Sequence, residues 1–179
     1  MMKNLLKILF IFIISFCFNN KVIACDLFNI SPGSEISKLE NIVGEIDLDY
    51  DTYDEYDVFR FIVNNDLYCP NSSLKRTSSN IFINNNRVTG IKIESYLKNK
   101  TYSRVKGNQV FTFINNNYGS IDTEVTEKDW TGMKKIISGN KIILYSKSEK
   151  KRGILESALI TSKKYYEQTY DEEIIELNE

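Results

Sequence analysis

Residues 80–95, "NIFINNNRVTGIKIES", place two runs of β-branched and aromatic side chains on either side of an asparagine-rich turn. Asparagine tolerates the left-handed backbone that a tight hairpin turn requires, so this stretch predicts an antiparallel pair. Ile91 and Ile93 are the inward positions of its second strand. Strand signals continue on both sides. "DVFRFIVN" alternates, with Phe59, Phe61 and Val63 facing one way and Val58, Arg60 and Ile62 the other. Further on, "DWTGMKKIIS", "NKIILYSKS" and "GILESALITS" read as three more strands, the first two joined by "SGNK" as a tight hairpin and the last two by "EKKRG". "CPNSSLKRTSS" is a loop, since Pro70 bars a helix there.

Two helices interrupt the strands. "SPGSEISKLENIVG" predicts a short helix capped by Ser34 and leaving at Gly44, with Ile36, Leu39, Ile42 and Val43 as its apolar stripe. "GNQVFTFINNNYG" carries two patterns. Val110, Phe113, Ile114 and Tyr118 make a helical stripe, whereas Phe111 and Phe113 also alternate as in a strand. The closing "NNNYG" is a helix-stop pattern and favours the helix. The tail "KKYYEQTYDEEIIELNE" predicts a third helix with Tyr166, Tyr170, Ile174 and Leu177 on one face. The fold class expected is therefore α+β: a largely antiparallel sheet covered on one side by two short helices and the C-terminal helix. Gly44 and Gly119 end the first two helices 75 residues apart, which suggests a tandem helix-plus-three-strand plan with halves at about 25–100 and 101–179. A competing frame matches "VFRFIVNN" to "VFTFINNN" at a spacing of 52 but accounts for less of the chain.

The first 24 residues read as a signal peptide ahead of a single domain at 25–179. A short basic start, an apolar run over "LLKILFIFIISFCF" and a polar step ending in Val22 and Ala24 give the three-part layout of a secretory leader. The apolar run is short for a membrane span of about 20 residues. Cleavage removes Cys17 and leaves Cys25 and Cys69. In an oxidising compartment these two would pair, and closing a loop of 44 residues stabilises by about 3–4 kcal/mol in the loop-entropy model. The rival for Cys25 is lipidation, because "VIAC" loosely follows a bacterial lipobox. The two fates exclude each other, and membrane attachment is expected only with the second.

Removal of the leader takes Lys3, Lys7 and Lys21 and no acid, leaving 20 basic and 24 acidic side chains and a net charge of −4. That balance disfavours nucleic acid as a partner. The chain has no histidine, which removes the usual general base, most catalytic triads and most zinc sites. It also lacks CxxC and a glycine-rich phosphate loop. No cofactor is implied. A carboxylate-pair hydrolase remains conceivable through pairs such as Asp54/Asp57 or Glu172/Glu176, provided burial raises one pKa.

The stretch "EIDLDYDTYDEYDVF" holds seven acids and no base. Asp47, Asp49 and Asp51 stand at the first, third and fifth places of a calcium loop, but Thr52 replaces the turn glycine and Val58 the bidentate glutamate, so only a loose cation site is conceivable. Tyr50, Tyr53 and Tyr56 recur among the acids and suggest a contact surface for a basic protein partner. The third reading is an edge kept soluble by charge. A basic counterpart, Lys128, Lys134, Lys135, Lys141, Lys147, Lys150, Lys151 and Arg152, is expected on solvent faces and turn tips.

The leader, the short helix ending in glycine, the meander, and then "FINNNYG", Trp130 and "IILYSK" resemble uncharacterised small exported bacterial proteins. The doubled helix-plus-meander plan is also similar to beta-lactamase-inhibitory proteins and to small outer-membrane assembly lipoproteins. The resemblance implies an exported interaction or envelope protein, in the periplasm or outside the cell, and carries no catalytic residue across. The expected role is non-catalytic binding of the inhibitor or immunity type. The alternatives are a carboxylate-dependent hydrolase and a lipid-anchored structural component of the envelope.

Overall fold

The computed structural model describes residues 25–47, 58–70, 72–98, 109–122, 125, 130–151 and 153–166. Six strands form one sheet: β1 (Phe59–Asn64), β2 (Ser78–Asn84), β3 (Arg87–Lys98), β4 (Gly132–Ser138), β5 (Lys141–Lys150) and β6 (Gly153–Ser162). Their order is β1-β2-β3-β6-β5-β4, and every neighbouring pair is antiparallel. Two three-strand meanders thus meet through their last strands, β3 against β6. Helix α1 (Ile36–Val43) precedes the first meander and α3 (Gln109–Tyr118) the second, while α2 (Asn65–Tyr68) is a single turn between β1 and β2. The α+β class expected from the sequence is the class observed.

The β2–β3 hairpin turns at Asn85 and Asn86, with φ of 49° and 58°. Two successive left-handed residues are what a two-residue turn matching strand twist demands. Ile91 and Ile93 point inward and are buried. On β1, Phe59 and Val63 are buried while Arg60 and Ile62 are exposed, which is the predicted alternation. The segment 109–118 is helical, so the similar octets "VFRFIVNN" and "VFTFINNN" take different forms, mainly strand in one and helix in the other. What separates them is where the apolar positions go: Val110, Phe113 and Ile114 are buried together on one helical face.

Both longer helices leave through glycines with positive φ, Gly44 at 91° and Gly119 at 126°, a region that side chains with a Cβ avoid. The entry of α1 differs from the expectation. Ser34 is not its cap; Glu35 holds that position and makes no side-chain capping bond. The physical reason is tertiary. Residues 33–36 run beside the β2–β3 hairpin, where Gly33 N–H donates to the Val88 carbonyl (2.7 Å), Val88 N–H to the Ser34 carbonyl (2.9 Å) and Ile36 N–H to the Asn86 carbonyl (2.9 Å). A backbone carbonyl therefore satisfies an amide of the first turn.

Alternation divides the sheet into two faces. Ile81, Ile83, Ile91, Ile93, Ile143, Tyr145, Ala158 and Ile160 pack with Leu39 of α1 and with Val110, Phe113 and Ile114 of α3, making the main core. The intervening residues Phe82, Ile142, Leu144 and Leu159 form a second cluster with Val58 on the opposite face. The tail was expected to lie on the helix side. Its described part is a helical turn at 163–166, and Tyr166 packs against the second cluster instead. Residues 167–179, which carry the rest of that expectation, lie outside the described residues.

Candidate functional site

Cys25 and Cys69 form a disulfide with their Cα atoms 4.8 Å apart. Both are buried in the main core, beside Leu27 and Phe28 of a 3-10 turn at Asp26–Asn29. The loop receiving Cys69 is stiffened by buried hydrogen bonds. Asn65 Nδ2 donates to Thr77 Oγ1 (2.7 Å), Ser79 Oγ donates to Asn65 Oδ1 (2.9 Å), and Thr77 Oγ1 donates to the Leu74 carbonyl (2.6 Å). Buried polar side chains of this kind persist only when paired, and here each holds the loop rather than a ligand.

The chemically distinctive cluster lies on β5 and β6, toward the same ends of the strands as this loop. Lys147 of β5 and Glu156 of β6 are register partners on the helix-bearing face. They keep 1% and 0% of their surface, against an almost universal preference of such side chains for solvent. The Glu156 carboxylate accepts from the backbone N–H groups of Phe111 (3.0 Å) and Val110 (3.3 Å) and from the Tyr145 hydroxyl (2.9 Å). It is thus a long-range cap for the first turn of α3, placed where the helix dipole favours negative charge. Lys147 Nζ donates to the Val125 carbonyl (3.5 Å). Aromatic rings close the site. Trp130 stacks near Tyr145 with centroids 6.2 Å apart, and Phe111 meets the same ring edge-on at 6.2 Å.

Burial pushes the Glu156 carboxyl up to about 7; the N–H groups of Phe111 and Val110, the Tyr145 hydroxyl and the charge of Lys147 pull the other way. The group therefore titrates near neutrality inside a closed site. Its hydrogen-bonding capacity is spent on the fold, and among the described residues no buried side-chain nitrogen or oxygen lacks a partner. At the far end of α3, Lys141 lies over the Tyr118 ring (5.2 Å). Desolvation lowers the Lys141 pKa and raises that of Tyr118 to about 12.

The sequence-predicted site residues fare unequally. Tyr50, Tyr53, Tyr56, Asp49 and Asp51 lie outside the described residues, as do Asp54, Asp57, Glu172 and Glu176. Asp47 is exposed. The flanks of that acidic stretch are anchored, because Ile46 is buried in the main core and Val58 in the opposite cluster. Within the basic segment, Lys134 pairs with Asp122 (3.4 Å) and Lys135 sits over the Tyr166 ring (4.2 Å). Lys147 corrects the expectation of solvent-facing lysines. It falls on an inward position of β5, opposite Glu156, and the alternation of "IILYSKS" with Tyr145 inward was the signal that marks it. Glu156, set in the strand "GILESALITS", was likewise missed; its inward register follows from the burial of Ala158 and Ile160.

Among the described residues, no group of three or more histidine, cysteine or acidic side chains is placed to hold a metal ion, and no helix is long and apolar enough to cross a membrane. Comparison with protein families, curated proteins and solved structures gives no significant match to this chain.

Proposed function

We propose that this chain is an exported, non-catalytic binding protein of the bacterial envelope or extracellular space, acting in the manner of an inhibitor or immunity protein. The observation that carries this reading is the Cys25–Cys69 bond. A buried disulfide that ties residue 25 to the sheet suits an oxidising compartment and a domain that must stay folded outside the cell. It also favours a free, unacylated N-terminus, since a bridged sulfur has no thiol for a lipid. The saturation of Glu156 by groups of the fold argues in the same direction, because a carboxylate engaged by three donors is occupied before any substrate arrives.

The contact surface in this reading is the acidic, tyrosine-bearing stretch, held by Ile46 and Val58 at its two ends. Tyrosines supply stiff contact area, and the surrounding acids select a basic partner protein. The test uses the chain starting at Cys25 as bait against native envelope extract, beside a variant carrying Tyr50→Ala, Tyr53→Ala and Tyr56→Ala. The expected result is a partner retained by the first and lost by the second, with matching circular dichroism spectra. Equal retention by both baits overturns the contact surface. An intact mass showing acylation at Cys25 overturns the soluble form and leaves the lipid-anchored one.

A further inference from the structure

Among the described residues, the large apolar side chains left exposed gather, Tyr96 aside, at the two edges of the sheet. Ile62 on β1 keeps 65% of its surface and Leu67, in the turn that follows β1, keeps 73%, while on β4 Met133 keeps 43% and Ile137 72%. The two edges are guarded differently. β4 carries Lys134 and Lys135, the kind of side chain that keeps an edge from recruiting another strand. β1, with the sequence FRFIVN, has no lysine, proline or glycine, and its register with β2 runs unbroken from Phe59 to Asn64. Its one base, Arg60, does not guard the edge, because its guanidinium lies back over β2, 5.6 Å from the centroid of the Phe82 ring. The residue across from Ile62 on β2 is polar: it is Asn80, whose side-chain amide donates to Glu94 Oε2 (2.6 Å). Among the described residues, no strand pairs with β1 on its outer side.

We propose that the β1 edge is a docking surface for a second copy of this chain, the two β1 strands pairing antiparallel about a two-fold axis at Ile62 and joining two six-stranded sheets into one. The side chains select this occupant. Residues opposite each other in an antiparallel pair lie on the same face. A two-fold at Ile62 therefore sets Ile62 against its own copy and Arg60 against Asn64 of the second copy on the outer face, with Phe61 against Val63 of the second copy on the inner face. Apolar meets apolar, a cation meets an amide, and no like charges oppose. The two Ile62 side chains bury against each other the apolar surface that Asn80 leaves uncovered. The same operation over the whole of β4 would set Lys135 against its own copy, which like-charge repulsion disfavours. Nor do the acidic stretches ahead of β1 collide. They join β1 through Val58, which in this register lies opposite position 66 of the second copy. The two Val58 residues are thus offset by about 27 Å along the ribbon, well beyond the screening length of about 8 Å at physiological salt. A short edge of this kind suits a reversible dimer rather than a permanent one. Such a dimer is independent of the basic partner proposed above, whose contact residues lie ahead of β1 in the chain.

Sedimentation velocity over a concentration series of the purified chain, beside Ile62→Lys and Ile137→Lys, tests this. The same substitution then falls on an exposed side chain at each edge. The expected result is a monomer–dimer equilibrium that Ile62→Lys weakens by about tenfold or more and Ile137→Lys leaves unchanged, with matching circular dichroism spectra throughout. Ile62→Cys reads the register. The native cysteines Cys25 and Cys69 are bonded to each other, so mild oxidation should link two copies through the introduced thiols, whereas Arg60→Cys should stay unlinked. A chain that remains monomeric at every concentration overturns the proposal, as does association that survives Ile62→Lys. Association lost only with Ile137→Lys belongs to β4 and likewise overturns it. Should Ile62→Lys fail to fold, the cross-linking pattern decides, and an Ile62→Cys chain that forms no bridge overturns the two-fold pairing.

Discussion

The two halves of the sheet solve one problem by different means. Each seats a helix on its inner face, and each helix begins with amides that lack partners within the helix. In the first half the answer is backbone: the Asn86 carbonyl of the β2–β3 hairpin accepts from Ile36 N–H, while the disulfide from Cys25 to Cys69 pins the chain ahead of α1 at the opposite end of β2. In the second half the answer is a buried charge, with the Glu156 carboxylate receiving Val110 and Phe111 N–H and Lys147 as its cross-strand partner. The difference teaches where each half is vulnerable. A backbone cap has no titrating proton, so the first half answers to redox conditions and turn geometry. A carboxylate cap does titrate, so the second half answers to pH.

The most damaging single change is expected at Glu156. Glu156→Ala leaves the amides of Val110 and Phe111 and the Tyr145 hydroxyl without their acceptor, and a buried donor left unsatisfied typically costs about 1–3 kcal/mol. Urea unfolding followed by circular dichroism measures it. A loss below 1 kcal/mol would show that the second half does not depend on this charge. Next comes the disulfide. Replacing Cys25 and Cys69 by serine is expected to destabilise by about 3 kcal/mol in the same assay, with the loss matched by adding reductant to the unaltered chain.

The pH response separates the halves more finely. The Glu156 carboxyl titrates near 7 in the folded chain, above its ordinary value of 4.5, so between those values the folded state holds more protons than the unfolded state. Stability contributed by this group is therefore full below about pH 4.5 and falls as pH rises through 7. The chain should be more stable at pH 5 than at pH 8 by about 1–3 kcal/mol from this group. Glu156→Gln should flatten that difference, while the Cys25/Cys69 serine variant should keep it. A Glu156→Gln chain with an unchanged pH slope would refute the assignment. The smallest effect belongs to the turn. Asn86→Ala places a side chain ill suited to φ of 58° and is expected to cost about 1 kcal/mol, with no change in the pH slope.

Much of the architecture was legible because it is local. The asparagine turn, the alternation of β1 and the glycine exits of both helices each depend on a few adjacent residues. The ambiguity at 109–118 fell to the helix through the stripe Val110, Phe113 and Ile114, which local pattern had half revealed. Ser34 failed as a cap because a hairpin more than 50 residues away supplied the acceptor. Lys147 and Glu156 failed as surface residues because hydrophobicity marks charged side chains for solvent, whereas strand register turned these two inward together.

Residue order by itself determined the strand segments, the turns between them, the absence of histidine and the presence of Cys25 and Cys69 as candidates to pair. Only the tertiary structure decided that β3 and β6 adjoin, that a carboxylate of β6 caps α3, and that Phe82, Ile142, Leu144 and Leu159 are buried on the face opposite the helices. The reason is physical. Backbone conformation is set by neighbours along the chain, while burial and pKa are set by neighbours in space, and those meet only when distant segments pack.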